Sequence, residues 1–568
     1  MPKLSYRSIV ILCILLSFCS FTYELLLAKT LGVLTDSAVI IQSLTIGIYI
    51  LALGLGTIVA DRKIVEKPEE KLFNVEICLS SMGACCVLLT ILLNTLKTYY
   101  SMTDVLGIET SSNYEYYDSV QVAEKLPFTL FFLTSELITF WVGFFSGFEI
   151  PLLIALAKEN NHQNKDNEII GFTSFGTLLA TIIFAFIFMP IMDVDKSAIM
   201  VALINFGISI YLYIIFKNIR TIMHKIYLAF NFAIIVLVMI FSPIIYQIDL
   251  KSFYYYDTNI VTQPLKEEGF LTFMDNVPRV ERIKTLYQYI DIVKPPEKNS
   301  SPTQMTVFLN RHFQFAIFKE NDVYHEGMSH VPVNFFKKVP ENILVLGAGD
   351  GLLINELLKY GDKVQTITQI ELDEEMYKLS NTHPILSETN NKSLLNDKVT
   401  TIIQDAFYFV RNTKNKYDAI YIDFPYPHNY DIARLYSTEF FKFVSKIVKD
   451  DGYIVMDVPV FNPEELTDLP EYAINESKNG NNIMFSTVAS SGLKYGVYDV
   501  GSDPFFILYK NNKEVDEIFS TPRMFRYYRP GLEDARQVII ENYDYEIDDK
   551  YVNSIFNPKL LKLGGASF

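Results

Sequence analysis

The chain has 568 residues, half of them hydrophobic, and a formal net charge of −16. That length exceeds what one core organises and points to roughly two or three domains. The acidic balance excludes a phosphate-backbone partner, which needs a Lys/Arg surface, so no nucleic-acid binding is expected.

The apolar residues crowd into the first 250 positions. A membrane span needs roughly 20 predominantly apolar residues, and seven runs qualify: 9–31, 38–60, 75–97, 127–157, 169–191, 198–216 and 226–247. The first lacks a small-residue cleavage site and is interrupted by Tyr23-Glu24, so it reads as a retained span rather than a cleaved signal peptide. Pro151, near the end of the long fourth run, predicts a kink or a tilted exit. Glu24, Glu136 and Glu149 sit in or beside these runs, where a carboxylate is a functional candidate on a cation path, with an interhelical hydrogen bond as the plainer alternative. The five cysteines, Cys13, Cys19, Cys78, Cys85 and Cys86, all lie in apolar runs and form neither a disulfide framework nor a C-x-x-C pattern. The few histidines make no H-E-x-x-H or H-x-E cluster, so no metal site is expected.

After Asp249 the composition becomes polar and aromatic. Tyr287–Val293 and Met305–Phe318 alternate as strands of a small antiparallel sheet, with a Pro-rich loop over 294–302 between them. From Asn342 onward strands alternate with helices. Strands are predicted at Asn342–Gly347, Val364–Leu372, Val399–Ile403, Tyr417–Asp423 and Gly452–Val458, with helices from Gly351 through Tyr360 and over Phe440–Val448. Such alternation builds a parallel sheet, whose ligands bind beyond the carboxyl ends of its strands.

The chemistry-bearing residues collect at those ends. Gly347 and Gly349 allow a close backbone approach, Glu371 closes the second strand, Asp405 follows the third and Asp423 closes the fourth. Glu371 stands where a carboxylate accepts ribose hydroxyls, and Asp405 where it can accept from an adenine amino group. The turn lacks the G-x-G-x-x-G spacing of a pyrophosphate cradle, so a nucleoside without phosphates fits better. A strand-end acid is often only a helix cap or a solvated terminus, and Asp350 has the same alternative as an N-cap.

In order and spacing these residues resemble the spermidine synthases, the polyamine aminopropyltransferases, over roughly 280–460. The likeness is carried by Thr285-Leu286-Tyr287-Gln288, Leu309-Asn310, Phe313-Gln314-Phe315, Tyr324-His325-Glu326 with His330 and Pro332, Leu346-Gly347-Ala348-Gly349-Asp350-Gly351, Glu371-Leu372-Asp373, Asp405-Ala406 and Asp423. Arg434-Leu435-Tyr436-Ser437 and Glu439-Phe440 resemble the membrane-attached branch, which also carries N-terminal spans. The resemblance implies a multi-span α-helical membrane domain (1–249), a small antiparallel β part (250–340) and an α/β Rossmann-like, class I methyltransferase-like domain (341–568). It implies transfer of an aminopropyl group from decarboxylated S-adenosylmethionine, a co-substrate rather than a prosthetic group, to an amine such as putrescine. The products are spermidine and methylthioadenosine.

By the same resemblance Asp423 is the proton acceptor. Gln288, Gly347, Gly349, Glu371, Asp405 and Ala406 hold the nucleoside, and Tyr324, His325, Asp350, Gln314 and Tyr426 hold the amine. Tyr426 departs from the family's second acid in D-x-x-D-P, which leaves the acceptor amine open. A methyltransferase on the same fold and a non-catalytic polyamine-binding or transport protein are the alternatives. Asp350 disfavours the methyltransferase, because a carboxylate repels the methionine tail of S-adenosylmethionine. The expected partners are a lipid bilayer and a small polyamine, and a homodimer is compatible with the resemblance. The Lys/Arg-rich loops, read by the positive-inside rule with seven spans, put the C-terminal domain outside, whereas the co-substrate is made in the cytoplasm; the cytoplasmic face of a cell membrane is the expectation adopted.

Overall fold

The computed structural model describes residues 4–35, 38–63, 67–102, 113–162, 164–257, 269–296, 304–317, 322–427, 429–457, 460, 471–501, 503–530, 536–540 and 543–563. Most of the Pro-rich loop expected over 294–302 lies outside them. The chain forms two compact units, Met1–Glu281 and Arg282–Phe568.

Among the described residues of the first unit, seven helical stretches are long and apolar enough to cross a membrane: Tyr6–Leu34, Ile40–Ala60, Pro68–Tyr100, Leu126–Glu159, Asp166–Ile191, Val194–Ile215 and Ile222–Tyr255. They match the seven apolar runs. The fourth breaks after Ser146 and restarts at Glu149, which puts Pro151 in the first turn of the new helix, where its missing N–H costs nothing. The unit exposes apolar side chains and buries a set of polar ones within an apolar core. Phe186, Ile222 and Phe230 are exposed, while Ser80, Asn205 and Asn231 are buried. Asn231 ties two helices together, donating to Ile77 O (3.1 Å) and Ser81 Oγ (2.6 Å) and accepting from Ser80 Oγ (3.0 Å). Asn94 Nδ2 does the same for Asp249 (2.8 Å). Glu136 accepts from Thr45 Oγ1 (2.7 Å), the interhelical bond that was the plainer alternative for it.

The second unit opens with a four-stranded sheet, β1 (Glu281–Lys284), β2 (Tyr289–Val293), β3 (Met305–Leu309) and β4 (His312–Ile317), in that order. The run expected over 305–318 is a hairpin, turned at Asn310 and Arg311, both with positive φ. Phe315 and Ile317 pack on Leu352, Met376 and Leu386, which fastens this sheet to the larger one.

The larger sheet comprises β5 (Asn342–Gly347), β6 (Thr366–Glu371), β7 (Val399–Ile403), β8 (Tyr417–Asp423), β9 (Val448–Asp457), β10 (Lys494–Val500), β11 (Asp503–Tyr509), β12 (Arg523–Tyr527) and β13 (Arg536–Ile540), ordered β12-β13-β10-β11-β9-β8-β5-β6-β7. Strands β5 to β9 are parallel, β11 lies antiparallel between β9 and β10, and β12–β13 extend the edge. This is the Rossmann-like sheet the strand–helix alternation predicted. Side-chain alternation divides its core. Leu344, Leu346, Ile420 and Ile422 face helices Thr438–Ile447 and Glu471–Ala489, while Ile343, Val345, Ala419 and Tyr421 face helices Val323–Phe336 and Leu352–Leu358. The order reverses between β5 and β8, and at such a switch point the strand ends open a crevice.

Candidate active site

The five parallel strands deliver their carboxyl ends to that crevice. Gly347 ends β5 with φ +85°, and a Cβ there would stand 2.0 Å from Asp423 O. The tight approach lets Ala348 N donate to Asp423 O (3.2 Å), locking the turn after β5 to the tip of β8. A Cβ on Gly349 would lie 2.6 Å from Glu371 Oε2, so this glycine leaves room for the carboxylate at the tip of β6. Glu371 is buried and accepts from Asp373 N (2.8 Å); burial pushes its carboxyl up to about 7 against that hydrogen bond. Gln288 Nε2 reaches across from the small sheet to Asp373 Oδ2 (3.0 Å), so the nucleoside candidates Gln288, Gly349 and Glu371 converge.

Helix Val323–Phe336 carries the second group. Its N-cap Asp322 accepts from His325 N (3.2 Å) and pairs with His325 Nδ1 (2.5 Å). His325 Nε2 lies 4.0 Å from Asp350 Oδ2. Burial opposes a charge on this imidazole, yet Asp322, then Asp350 and Asp423, outweigh it and raise His325 to about 10. Asp350 accepts from Leu352 N (2.7 Å) and is lifted to about 6 by burial, with Asp423 adding and His325 opposing. Burial likewise raises Asp423. One donor atom from each of His325, Asp350 and Asp423 lies within 4.8 Å of the others. That donor set is of the kind that holds a divalent cation, but an imidazolium offers no lone pair to a metal, which leaves the two carboxylates as the acceptors of the trio.

Tyr324 completes the cluster. Its Oη lies 3.1 Å from Asp423 Oδ1 and 3.1 Å from Asp457 Oδ2. Its ring is wedged between the His325 imidazole and Phe505, at 4.9 and 5.2 Å between centroids. One hydroxyl proton cannot satisfy two carboxylates at once, so the second bond requires a proton on one of the acids.

Not every expected residue joins this constellation. Asp405 caps helix Ala406–Asn412 through Tyr408 N (2.7 Å) and pairs with Arg434 (2.5 Å), so the cap reading holds for it, and Ala406 is buried beside it. Gln314 is the extra residue of the bulge between β3 and β4 and shares no hydrogen bond with the cluster among the described residues. Tyr426 is 43% exposed. Its loop is pinned by Tyr436 Oη, which is within reach of Phe424 O (3.3 Å) and Pro425 O (3.2 Å). Glu326 and His330 face away from the cluster. Glu326 pairs with Arg529 and Arg536, and His330 with Glu356 (3.0 Å) and Tyr360 (2.9 Å). Two acids were missed in the sequence: Asp457, at the tip of β9, and Asp503, at the start of β11, which burial raises to about 6 while His325 opposes.

Fold and site together define a Rossmann-like unit whose strand tips bring Glu371 together with Gln288, and Asp350 and Asp423 together with His325. Residues 321–491 match the family model of the spermine/spermidine synthase domain. The chain is 27% identical over 430 residues to a polyamine aminopropyltransferase of Leptospira interrogans, covering 75% of this chain and 74% of the relative. It is 24% identical over 556 residues to one of Oceanobacillus iheyensis, covering 97% of this chain and 95% of that one, so the likeness extends through both units. A crystal structure of spermidine synthase in complex with the transition-state analogue AdoDATO matches at 18% identity and a TM-score of 0.30, over 48% of this chain and 77% of that one.

Proposed function

We propose that the protein is a polyamine aminopropyltransferase, moving the aminopropyl group of decarboxylated S-adenosylmethionine onto an amine such as putrescine and releasing methylthioadenosine. The observation that carries this reading is the Asp423 carboxylate, held by Tyr324 within one small cluster with Asp350 and His325. The sulfonium is already an activated leaving group, so the protein has to align two cations and remove a proton from the acceptor. Asp423 takes that proton, its raised affinity bringing it nearer to that of a neutral-pH base. Glu371 accepts the ribose hydroxyls, with Gln288 steadying Asp373 beside it. Asp350 and His325 line the amine side, and holding both reactants in line supplies much of the rate. Asp405, Ala406, Gln314 and Tyr426 keep the roles the resemblance gives them, with Arg434 leaving Asp405 only part of its acceptor capacity.

The helical unit is proposed to sit in the cell membrane, with its exposed apolar side chains towards lipid and its polar groups inside, and the synthase domain on the cytoplasmic face. Purified protein incubated with decarboxylated S-adenosylmethionine and putrescine should release methylthioadenosine and form spermidine. Failure with putrescine and with a series of other amines would overturn the enzyme reading. Methyl transfer from S-adenosylmethionine would replace it with the methyltransferase one. Protease protection in sealed vesicles tests the membrane side: cleavage of the synthase domain only from outside would overturn the cytoplasmic assignment.

A further inference from the structure

The helical unit holds a second group of acids, unconnected with the synthase chemistry. Glu76 and Asn205 are fully buried and Glu149 is 3% exposed. Both carboxylate oxygens of Glu76, one of Glu149, and both amide atoms of Asn205 have no hydrogen-bonding partner among the described residues.

Contacts between helices place these three side chains at one level. Helix Pro68–Met102 runs parallel to helix Tyr6–Leu34: Leu72 and Phe73 share a cluster with Ile9 and Leu12, and the position of Gly83 abuts the Tyr23 ring. Glu76 is therefore level with Leu16. Helix Val194–Ile215 runs antiparallel to both, since Cys19 Sγ meets Val201 O (3.9 Å), Ser80 Oγ donates to Ala202 O (2.8 Å), and the Phe73 and Tyr213 rings lie 6.4 Å apart. That register sets Asn205 opposite Glu76. The chain from Ser146 into helix Glu149–Glu159 also runs antiparallel to the first helix: Tyr49 Oη links Ser20 O (2.8 Å) to Ser146 Oγ (3.0 Å), and Leu4 N donates to Asn160 Oδ1 (2.7 Å). Glu149 then also falls level with Leu16. Glu76 and Glu149 act electrostatically on one another and on Cys19, as this common level requires.

Two buried acids with no counter-charge leave a large desolvation cost uncompensated if ionised, and leave polar atoms unsatisfied if neutral. A cation answers both. The unpartnered oxygens are hard donors, two from Glu76, one from Glu149 and the amide oxygen of Asn205, and such sets select small hard ions. We propose that Glu76, Glu149 and Asn205 form a binding site for one small inorganic cation in the interior of the helical unit, with Na⁺ and Ca²⁺ as the candidates.

The test is equilibrium dialysis of the full-length protein in detergent with radiolabelled Na⁺ or Ca²⁺. One of the two ions should bind at a single site per chain. Glu76→Gln and Glu149→Gln should each weaken that binding by about tenfold or more, and Asn205→Ala should weaken it less. A monodisperse size-exclusion profile and an unchanged helical circular dichroism spectrum should report that these variants are folded, and unchanged methylthioadenosine release separates this site from the proposed enzyme reaction. Should a variant fail to fold, the wild-type measurement still decides. Absence of saturable binding of either ion to the wild type, or unaltered binding in folded variants, would overturn the site.

Discussion

Asp457 joins the reacting end of the pocket through Tyr324, whose hydroxyl stands 3.1 Å from Asp457 Oδ2 and equally close to Asp423. A carboxylate at the tip of β9 thus stands near Tyr426, on which its charge acts, and by the resemblance Tyr426 occupies the place of a second acid. The negative charge missing from one loop is supplied from the neighbouring strand.

Asp457→Asn should therefore raise KM for the acceptor diamine by about ten- to a hundredfold, the scale of losing one charge-assisted contact. KM for the sulfonium co-substrate should change little. Steady-state kinetics with each substrate varied in turn checks this, and equal effects on both would show that Asp457 is not specific to the amine.

The acids predict a rising pH profile. Glu371 at about 7 and Asp350 at about 6 act as carboxylates, so kcat/KM should climb between pH 5 and 7 and level off above. His325, at about 10, stays charged throughout that window. His325→Gln removes the positive neighbour of Asp350 and Asp423, so both should hold their protons to higher pH. The rising limb should then move up by about one pH unit, with kcat down about a hundredfold. A limb that stays in place would show that the imidazolium does not tune these acids.

Glu371 should also limit stability. Its folded affinity for protons exceeds the unfolded one, 4.5 against about 7, so the folded state binds more protons in that window and loses stability as pH rises through it. By pH 8 the accumulated cost is about 3 kcal/mol. Glu371→Gln should raise the unfolding temperature at pH 8, lose that advantage near pH 4.5, and abolish nucleoside binding. Circular dichroism melts at the two pH values test it.

Gly349→Ala should weaken nucleoside binding while leaving the protein folded, because the new Cβ meets Glu371 Oε2 at 2.6 Å and displaces a side chain rather than backbone. Titration with methylthioadenosine measures it, and wild-type affinity would mean that Glu371 can move without loss.

The parallel core and the acids at its first four strand tips were legible because each follows or closes a short apolar run within three residues, and the motif order then resembled one family. Asp503 was hidden because its position depends on β11 inserting antiparallel between β9 and β10, a tertiary choice that local pattern does not encode, whereas Asp457 lies in the strand read at Gly452–Val458 and matched no motif of the resemblance. Helix Val323–Phe336 was also missed: its His, Gly, Ser and Pro residues dilute the helical period, although it presents Tyr324 and His325 together. Glu76 stands at the margin of the 75–97 run and resembles an interfacial residue. The helix begins at Pro68, which places Glu76 more than two turns inside and buries it. Asp405 was legible as a strand-end acid, but the sequence could not anticipate its pairing with Arg434.

The acidic lining has a consequence for turnover. Asp322, Asp350, Asp423, Asp457 and Asp503 surround a single imidazolium, so the pocket's attraction grows with each ammonium a ligand carries. An aminopropyl transfer gathers the ammonium groups of both substrates onto one product, while the nucleoside leaves as a neutral thioether and the acceptor's proton passes to the base. The acidic lining therefore holds the polyamine and not the thioether, and added salt should hasten release of the polyamine alone.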